Sequence, residues 1–269
     1  MISTRVNHEV GKVNAVLTTT KVTLILEYNG TSYYGFQLQT GLPTIQGELE
    51  KALSKLTGER TRLIGASRTD TGVHAEGQVV SFRTRSSLPL KAFINGMNYY
   101  LPADIVVRAA YRVNDSFDVR REAISREYNY RILNNQMRSP LRDEISYLVR
   151  GRLNIDAMNE ACQLLLGEHD FASFAGLVGF RSTVRMVYRA ETSKEGDFVV
   201  FTVVANSFLP HQVRTTVGSL IRVGLGRMRV NAFYDIIKAK SYGLAGPTAP
   251  ACGLCLVQIN YPRPFEEYI

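Results

Sequence analysis

Strand and helix patterns alternate along this sequence, and the alternation runs through the chain twice. In the first half, apolar and polar residues alternate over 22–28, which predicts a strand ending at the turn Asn29-Gly30. A stripe at helical spacing follows and stops before Gly58, with the members Ile45, Leu49, Leu53 and Leu56. The other predicted elements of this half are a strand at 79–82, a helix at 90–99 and a strand at 105–113.

The second half repeats this plan with its own series of alternating patterns. Its predicted elements are a strand at 128–132, a helix over 155–165, a nearly continuous apolar strand at 198–204, a helical face over 213–221 and a last strand at about 254–261. Asn231 is predicted to cap a further helix that runs through Lys238. This order of elements predicts an α+β protein in which helices cover a sheet as a second layer.

The same patterns divide the chain into three parts. Residues 1–20 show no sustained periodicity, so we expect a loosely ordered leader there. Residues 21–125 form a predicted N-terminal α/β half, and residues 126–269 form a predicted C-terminal α/β half. Because no low-complexity linker separates the halves, we expect them to share one compact body.

Composition narrows the class of protein. The chain has 269 residues, of which 45% are hydrophobic and 21% charged, so a wholly disordered chain is excluded. No run approaches the ~18 consecutive apolar residues of a membrane span, and three cysteines are too few for a disulfide framework. We therefore expect a soluble, cytoplasmic protein. Its net charge of +8 suits a polyanionic partner such as a nucleic acid, but many mildly basic proteins bind none.

The segment with the highest density of chemically informative residues is IGASRTDTGVHAEGQVVSF at 64–82. It places the charged pair Arg68 and Asp70 in a turn rich in Gly, Ser and Thr, directly before an apolar strand. Loops at the end of a sheet often carry functional residues. The residues alone nevertheless favour a simpler interpretation, an Asx turn in which Asp70 only accepts backbone N–H groups.

Other motifs give weaker signals. Cys252 and Cys255 form a CxxC, but no second pair of ligands accompanies them, so small buried apolar residues are the favoured interpretation. His211 could act as a general base, although no serine or cysteine nucleophile motif is present. Asp70 and His74 are weak evidence for a metal pair. Motifs for binding ATP or a dinucleotide are absent from the sequence, which weakens the case for ATP or NAD chemistry.

The segment ASRTDTGVHAEGQVVSF at 66–82 resembles the signature GRTDAGVHA of the tRNA pseudouridine synthase A family. Four further blocks match that family in order: EYNGTSYYGFQLQ at 27–39, REYNYRI at 126–132, NSFLPHQVRTTVGSLIRVG at 206–224 and CGLCLVQINYP at 252–262. Two small departures lie beside Asp70, namely Ser67 where Gly is usual and Thr71 where Ala is usual. We expect both to be tolerated. Pro210 stands where His is common, so no role is carried to it.

The resemblance implies a pseudouridine synthase fold, in which two similar α/β halves share a continuous, mainly antiparallel sheet with a central cleft. It also implies a homodimer that acts without cofactor or metal on tRNA, at positions 38, 39 and 40 of the anticodon arm. The implied reaction detaches uracil from its ribose, rotates it and reattaches it through C5.

The resemblance assigns five site residues. Asp70 would be the nucleophile, Tyr128 the aromatic residue beside the target base, and Leu254 an apolar support below it. Arg214 would be the cation near Asp70, and Arg68 would act on the displaced RNA. If these roles hold, the Asp70 carboxylate and the Arg214 guanidinium should lie within roughly 4 Å, with Tyr128 in the same pocket. A non-catalytic RNA-binding protein and a metal-dependent hydrolase using Asp70 and His74 remain the alternatives.

Overall fold

The structure, a computed structural model, describes residues 19–176, 179 and 182–268. The predicted leader at 1–20 therefore lies almost entirely outside the described residues. No helix in the part of the chain that the structure describes is long and apolar enough to cross a membrane.

One mixed sheet forms the framework of the described chain. Its strands are β1 (Thr20–Tyr28), β2 (Ile64–Gly65), β3 (His74–Thr84), β4 (Ile105–Val113), β5 (Ser125–Leu133), β6 (Tyr147–Leu148), β7 (Gly167–Asp170), β8 (Val184–Glu195), β9 (Phe198–Ala205) and β10 (Leu254–Asn260). The order across the sheet is β4-β1-β3-β10-β5-β9-β8-β7, with β2 paired to β3 and β6 paired to β5. The pairings are antiparallel except for β10 with β3 and β5 with β6.

Strand β10 joins the two halves of the sheet. Cys255 pairs with His74 of β3 in parallel register, and Leu254 pairs with Tyr130 of β5 in antiparallel register. A segment from near the end of the sequence thus lies between the first half and the second. The loops that precede β3 and β10 are consequently brought to the same region of the sheet.

Five α-helices accompany the sheet in the described residues: α1 (Ile45–Thr57), α2 (Leu90–Tyr100), α3 (Ile155–Gln163), α4 (Gln212–Gly224) and α5 (Val230–Ala239). In the first half, α2 packs on β4 and α1 packs against α2. In the second half, α3 packs on β8 and contacts α4 and α5. The apolar faces of helices and strands form one continuous buried core.

Local signals account for the bounds of α1. The Thr44 side chain accepts the Gly47 N–H at the start of the helix, and Gly58 ends it with a φ of 75°, a left-handed conformation that glycine adopts without strain. The predicted helices and strands are present, most of them within a few residues of their expected bounds. The predicted cap at Asn231 is wrong. Helix α5 already begins at Val230, after Arg229, so Asn231 lies in the first turn.

Candidate active site

A cavity of about 490 Å³ opens between loops of the two halves. The first half contributes residues 66–70 and 73, which precede β3, and the second half contributes residues 207–214, which lead into α4. All five residues singled out by the family resemblance line this cavity: Arg68, Asp70, Tyr128, Arg214 and Leu254. Residues that are distant in the sequence are therefore brought together in one pocket.

A buried amide fixes the backbone of the loop that carries Asp70. The Gln78 side chain, which has no solvent exposure, accepts the Ser67 N–H at 3.3 Å and donates to the Ser67 carbonyl at 2.8 Å. These two hydrogen bonds to Ser67 take the place of strand pairing, which the loop lacks. Because the amide sits on β3, the loop is tied to the rigid part of the sheet.

A second set of contacts holds the next turn of this loop. The Tyr28 and Thr69 hydroxyls are hydrogen-bonded at 2.8 Å, and the Thr69 carbonyl accepts the Phe36 N–H at 3.0 Å. Gly35 lies against the same carbonyl with a φ of 86°, and a Cβ there would be 2.8 Å from the Thr69 oxygen. A side chain at position 35 would therefore displace the residue that precedes Asp70.

The carboxylate of Asp70 meets a guanidinium from the other half. Arg214 lies in the first turn of α4 and donates from Nη1 to Asp70 Oδ2 at 3.3 Å. The Arg214 Nε donates to the Ala249 carbonyl at 2.8 Å, which fixes the orientation of the guanidinium. The side chains are 17% exposed for Arg214 and 30% for Asp70. The predicted approach of these two groups is confirmed, and the pair neutralises a carboxylate that is largely removed from water.

Asp70 does not form the Asx turn that the residues alone favoured. In the described part of the chain, its side chain accepts no backbone N–H, and its contacts are with side chains from the α4 region. That interpretation is therefore wrong. The backbone carbonyl of Asp70 instead accepts the Val73 N–H at 3.1 Å, which closes the turn without using the carboxylate.

Tyr128 forms a buried wall of the pocket. Its side chain is 6% exposed, and its ring meets the Phe208 ring edge to face, with the centroids 5.3 Å apart. Its hydroxyl is hydrogen-bonded to the Ser67 hydroxyl at 3.1 Å. Burial raises the pKa of Tyr128 to about 12, while the Ser67 bond acts in the opposite direction. The phenol is therefore neutral near pH 7.

Leu254 and Arg68 occupy opposite environments in the same pocket. Leu254 opens β10, is buried, and adds an apolar surface to the cavity beside Tyr128. Arg68 is exposed at the cavity and also lines a smaller neighbouring one. An apolar wall and an exposed cation suit a ligand with a flat ring and a charged backbone.

The model of a family described as "tRNA pseudouridine synthase" matches residues 24–120 and 161–262 of this chain. A protein named tRNA pseudouridine synthase A from Geobacter sp. (strain M21) is 42% identical over 244 residues, which cover 90% of this chain and 99% of the relative. The chain belongs to the tRNA pseudouridine synthase A family. It is thus an enzyme of the isomerase class, and its sheet of two halves around a cleft is the pseudouridine synthase fold that the resemblance implied.

A second relative matches this chain about as well, and a solved structure matches it more weakly. The tRNA pseudouridine synthase A of Thermoanaerobacter sp. (strain X514) is 43% identical over 241 residues, which cover 89% of this chain and 99% of the relative. A solved structure described as an H/ACA RNP bound to a substrate RNA containing 2′-deoxyuridine covers 76% of this chain and 44% of its own. Its identity of 14% and TM-score of 0.37 are too low to support an argument.

Arg126 and His211 also line the pocket. The sequence gave Arg126 no role and offered His211 only as a possible general base. Arg126, only 8% exposed, donates to the carbonyls of Ala123, Asn206 and Arg120 at 2.7–3.0 Å. These acceptors belong to the segments at both sides of the cleft, so Arg126 ties the two sides together. Its presence in the REYNYRI block was the available signal. A buried arginine is rarely without a structural or binding task.

His211 is the second of these side chains. It precedes α4 with a φ of 63°, a left-handed conformation that costs a residue with a Cβ about 1–3 kcal/mol. Its side chain makes no capping bond to the helix, and its Nε2 lies 3.7 Å from Asp70 Oδ2. The ring packs on Gly176, where a Cβ would be 2.3 Å from Nδ1. The sequence gives no signal for this backbone conformation.

His74 and the CxxC have structural contacts. His74 accepts the Gly30 N–H at its Nδ1 and donates from Nε2 to the Cys252 carbonyl, both at 3.1 Å. Since both ring nitrogens are used, His74 cannot pair with Asp70 as a metal ligand in this conformation. Cys255 is buried and Cys252 half-buried, and both are free thiols. In the described residues, no three His, Cys, Asp or Glu side chains are grouped as metal ligands.

Proposed function

We propose that this protein converts uridine to pseudouridine in tRNA, at positions 38, 39 and 40 of the anticodon stem-loop, with Asp70 as the nucleophile. Family membership supports the reaction and the class of substrate. One observation carries the assignment of Asp70: its carboxylate lines the cavity and is paired at 3.3 Å with Arg214 from the opposite half.

The reaction is an isomerisation whose atoms balance without a co-reactant. The bond between N1 of uracil and C1′ of the ribose breaks, the base rotates, and a bond from C5 to C1′ forms. The proton lost from C5 is matched by one gained at N1. Asp70 supplies the covalent intermediate by attack on C1′ of the ribose or on C6 of the base. Arg214 places a positive charge 3.3 Å from the carboxylate oxygen of Asp70.

A paired or stacked uridine cannot reach this carboxylate, so we propose that the base flips into the cavity. Unstacking costs about a few kcal/mol. Tyr128 and Leu254 would receive the flipped base between an aromatic ring and an apolar side chain. Arg68, which is exposed at the rim, would contact the RNA that the base leaves behind. The net charge of +8 supports binding of the RNA backbone.

We also propose that the enzyme acts as a cytoplasmic homodimer and uses neither metal nor cofactor. The family resemblance is the support for the dimer. The chemistry supports a reaction without metal or cofactor, because a carboxylate nucleophile and a flipped base account for an isomerisation without an electron or group donor.

The test is incubation of the purified protein with unmodified tRNA in the presence of EDTA, followed by mapping of pseudouridine. We expect product at positions 38–40 with the wild type and with Asp235→Asn, a control at an exposed carboxylate of α5. Asp70→Asn should form none, while its affinity for tRNA stays within a few-fold, because binding depends on many phosphate contacts.

Each of the other outcomes identifies a specific error. One tenth or more of the wild-type turnover in Asp70→Asn would show that this residue is not the nucleophile. Loss of wild-type activity in EDTA would favour the metal-dependent alternative. Tight tRNA binding without any product would identify a non-catalytic RNA-binding protein.

A further inference from the structure

We propose that Ser67 is a positioning residue that fixes the Tyr128 hydroxyl in the active site, a role that rests on the function proposed for Tyr128. Ser67 is one of the two departures from the family signature, which usually has Gly at this position. A glycine has no hydroxyl to offer. The contact therefore distinguishes this chain from the common form of the signature.

The geometry of the contact is direct. The Ser67 Oγ and the Tyr128 hydroxyl are 3.1 Å apart, in a part-buried position. In the part of the chain that the structure describes, no other hydrogen-bond partner reaches this phenol. A buried tyrosine hydroxyl normally has a partner, because leaving it unpaired carries the cost of its lost hydration.

Both partners are held in place by the surrounding fold. The Ser67 backbone is bonded on both sides by the Gln78 amide, so its side chain starts from a fixed position. Tyr128 lies in β5, where it pairs with Leu256 of β10 and Val203 of β9. Because the backbones of Ser67 and Tyr128 are already fixed, forming this hydrogen bond costs little conformational entropy.

The bond has a specific consequence for the pocket. It holds the phenol oxygen on the side of the loop that carries Asp70, beside the space where the target base would lie. Without it, the phenol O–H is free to rotate about its C–O bond and to point into the cavity. We therefore expect Ser67 to affect the steps that follow base flipping and to leave the overall affinity for tRNA unchanged.

The test compares Ser67→Ala, Ser67→Gly and Ser67→Thr in single-turnover assays with saturating enzyme. The first two should slow pseudouridine formation about three- to tenfold, the loss expected for one neutral hydrogen bond, with tRNA affinity unchanged. Ser67→Thr keeps the hydroxyl and should retain most of the rate. Thr71→Ala is the matched control, since it also restores the usual family residue beside Asp70, yet Thr71 is exposed and does not line the cavity.

A double-mutant cycle with Tyr128→Phe shows whether Ser67 acts through the phenol. Once that hydroxyl is removed, Ser67→Ala should cause no further loss of rate. An equal loss in both backgrounds would overturn the proposal, as would a Ser67→Ala enzyme as fast as the wild type or a Ser67→Thr enzyme as slow as Ser67→Ala. A wild type that forms no pseudouridine would instead contradict the function proposed above.

Discussion

Gly218 lies in the middle of α4, and its replacement by alanine should destabilise the protein. In most helices this change is favourable by about 1 kcal/mol, because glycine has a low helix propensity. At this position, however, a Cβ would lie 1.8 Å from the Pro247 carbonyl oxygen. The obstacle is backbone rather than the end of a flexible side chain, so either the helix or the 247–249 segment has to move.

The magnitude follows from what holds that segment on α4. The Ala249 N–H donates to the Arg214 carbonyl at 3.0 Å, and the hydroxyls of Thr215 and Thr248 are 3.1 Å apart. Overpacking costs about 1–3 kcal/mol, and losing one of these hydrogen bonds costs about another 1 kcal/mol. After the gain of about 1 kcal/mol in helix propensity, the net loss is about 1–3 kcal/mol.

The same change should also lower activity. The Ala249 carbonyl accepts a hydrogen bond from the Arg214 Nε, and this bond orients the guanidinium towards Asp70. The assay is urea unfolding together with single-turnover pseudouridine formation. Gly96→Ala in α2 is the control, because the three atoms nearest to its Cβ would all belong to the Leu56 side chain, which can rotate, and none of them is backbone. A Gly218→Ala protein at least as stable and as active as Gly96→Ala would refute this reasoning.

Three further predictions concern named contacts. Arg214→Ala should reduce turnover and lower the free energy of unfolding. Since Asp70 is 30% exposed, the loss of stability should be smaller than the roughly 3–5 kcal/mol of a fully buried pair. Arg214→Lys should retain part of the turnover and part of the stability. Burial lowers the pKa of His74 below its ordinary 6.5, so the unfolded chain binds this proton more readily than the folded one. The His74 contribution to stability should be complete above about pH 6.5 and decline as the pH falls towards the folded-state pKa. In urea unfolding, the stability of His74→Gln should therefore fall less than that of the wild type over this pH range. Replacing Cys252 with Ala and Cys255 with Ser should lower the unfolding midpoint modestly and leave activity per molecule intact; stoichiometric zinc in the wild type, lost with activity in this variant, would contradict that expectation.

Periodicity predicted the elements whose burial is one-sided or complete. The α1 stripe and the apolar run of β9 are examples, because their side-chain spacing matches the face that packs on the core. Strand β8 was missed because much of it is exposed and its pattern lacks clean alternation. The cap at Asn231 failed since α5 starts at Val230 with Arg229 as its cap, two residues before the predicted position, and the preference of asparagine for a cap is weaker than packing of the helix.

The site was less accessible to sequence reasoning than the fold. Composition placed Asp70 in a turn, but only the family resemblance gave it a role and a partner 144 positions away. Ser67 was expected to be a tolerated departure, and the structure gives it a contact with Tyr128, 61 positions away. The left-handed backbone of His211 has no local signal either. Such contacts arise from pairing of distant strands, which spacing along the chain does not encode.

The position of β10 between the halves has a consequence for how this enzyme is made. His74 and Cys252, which meet across the β3–β10 seam, are 178 positions apart in the chain. Contacts of such separation form slowly, since a long loop must close before they stabilise anything. During synthesis, the first half emerges with the β3 edge uncovered, and an uncovered strand edge invites pairing with other chains. The loop that carries Asp70 is therefore synthesised about 180 residues before the strand that joins the halves. Until that strand is made, the β3 edge is open to pairing with other chains, and the pocket between the halves cannot form.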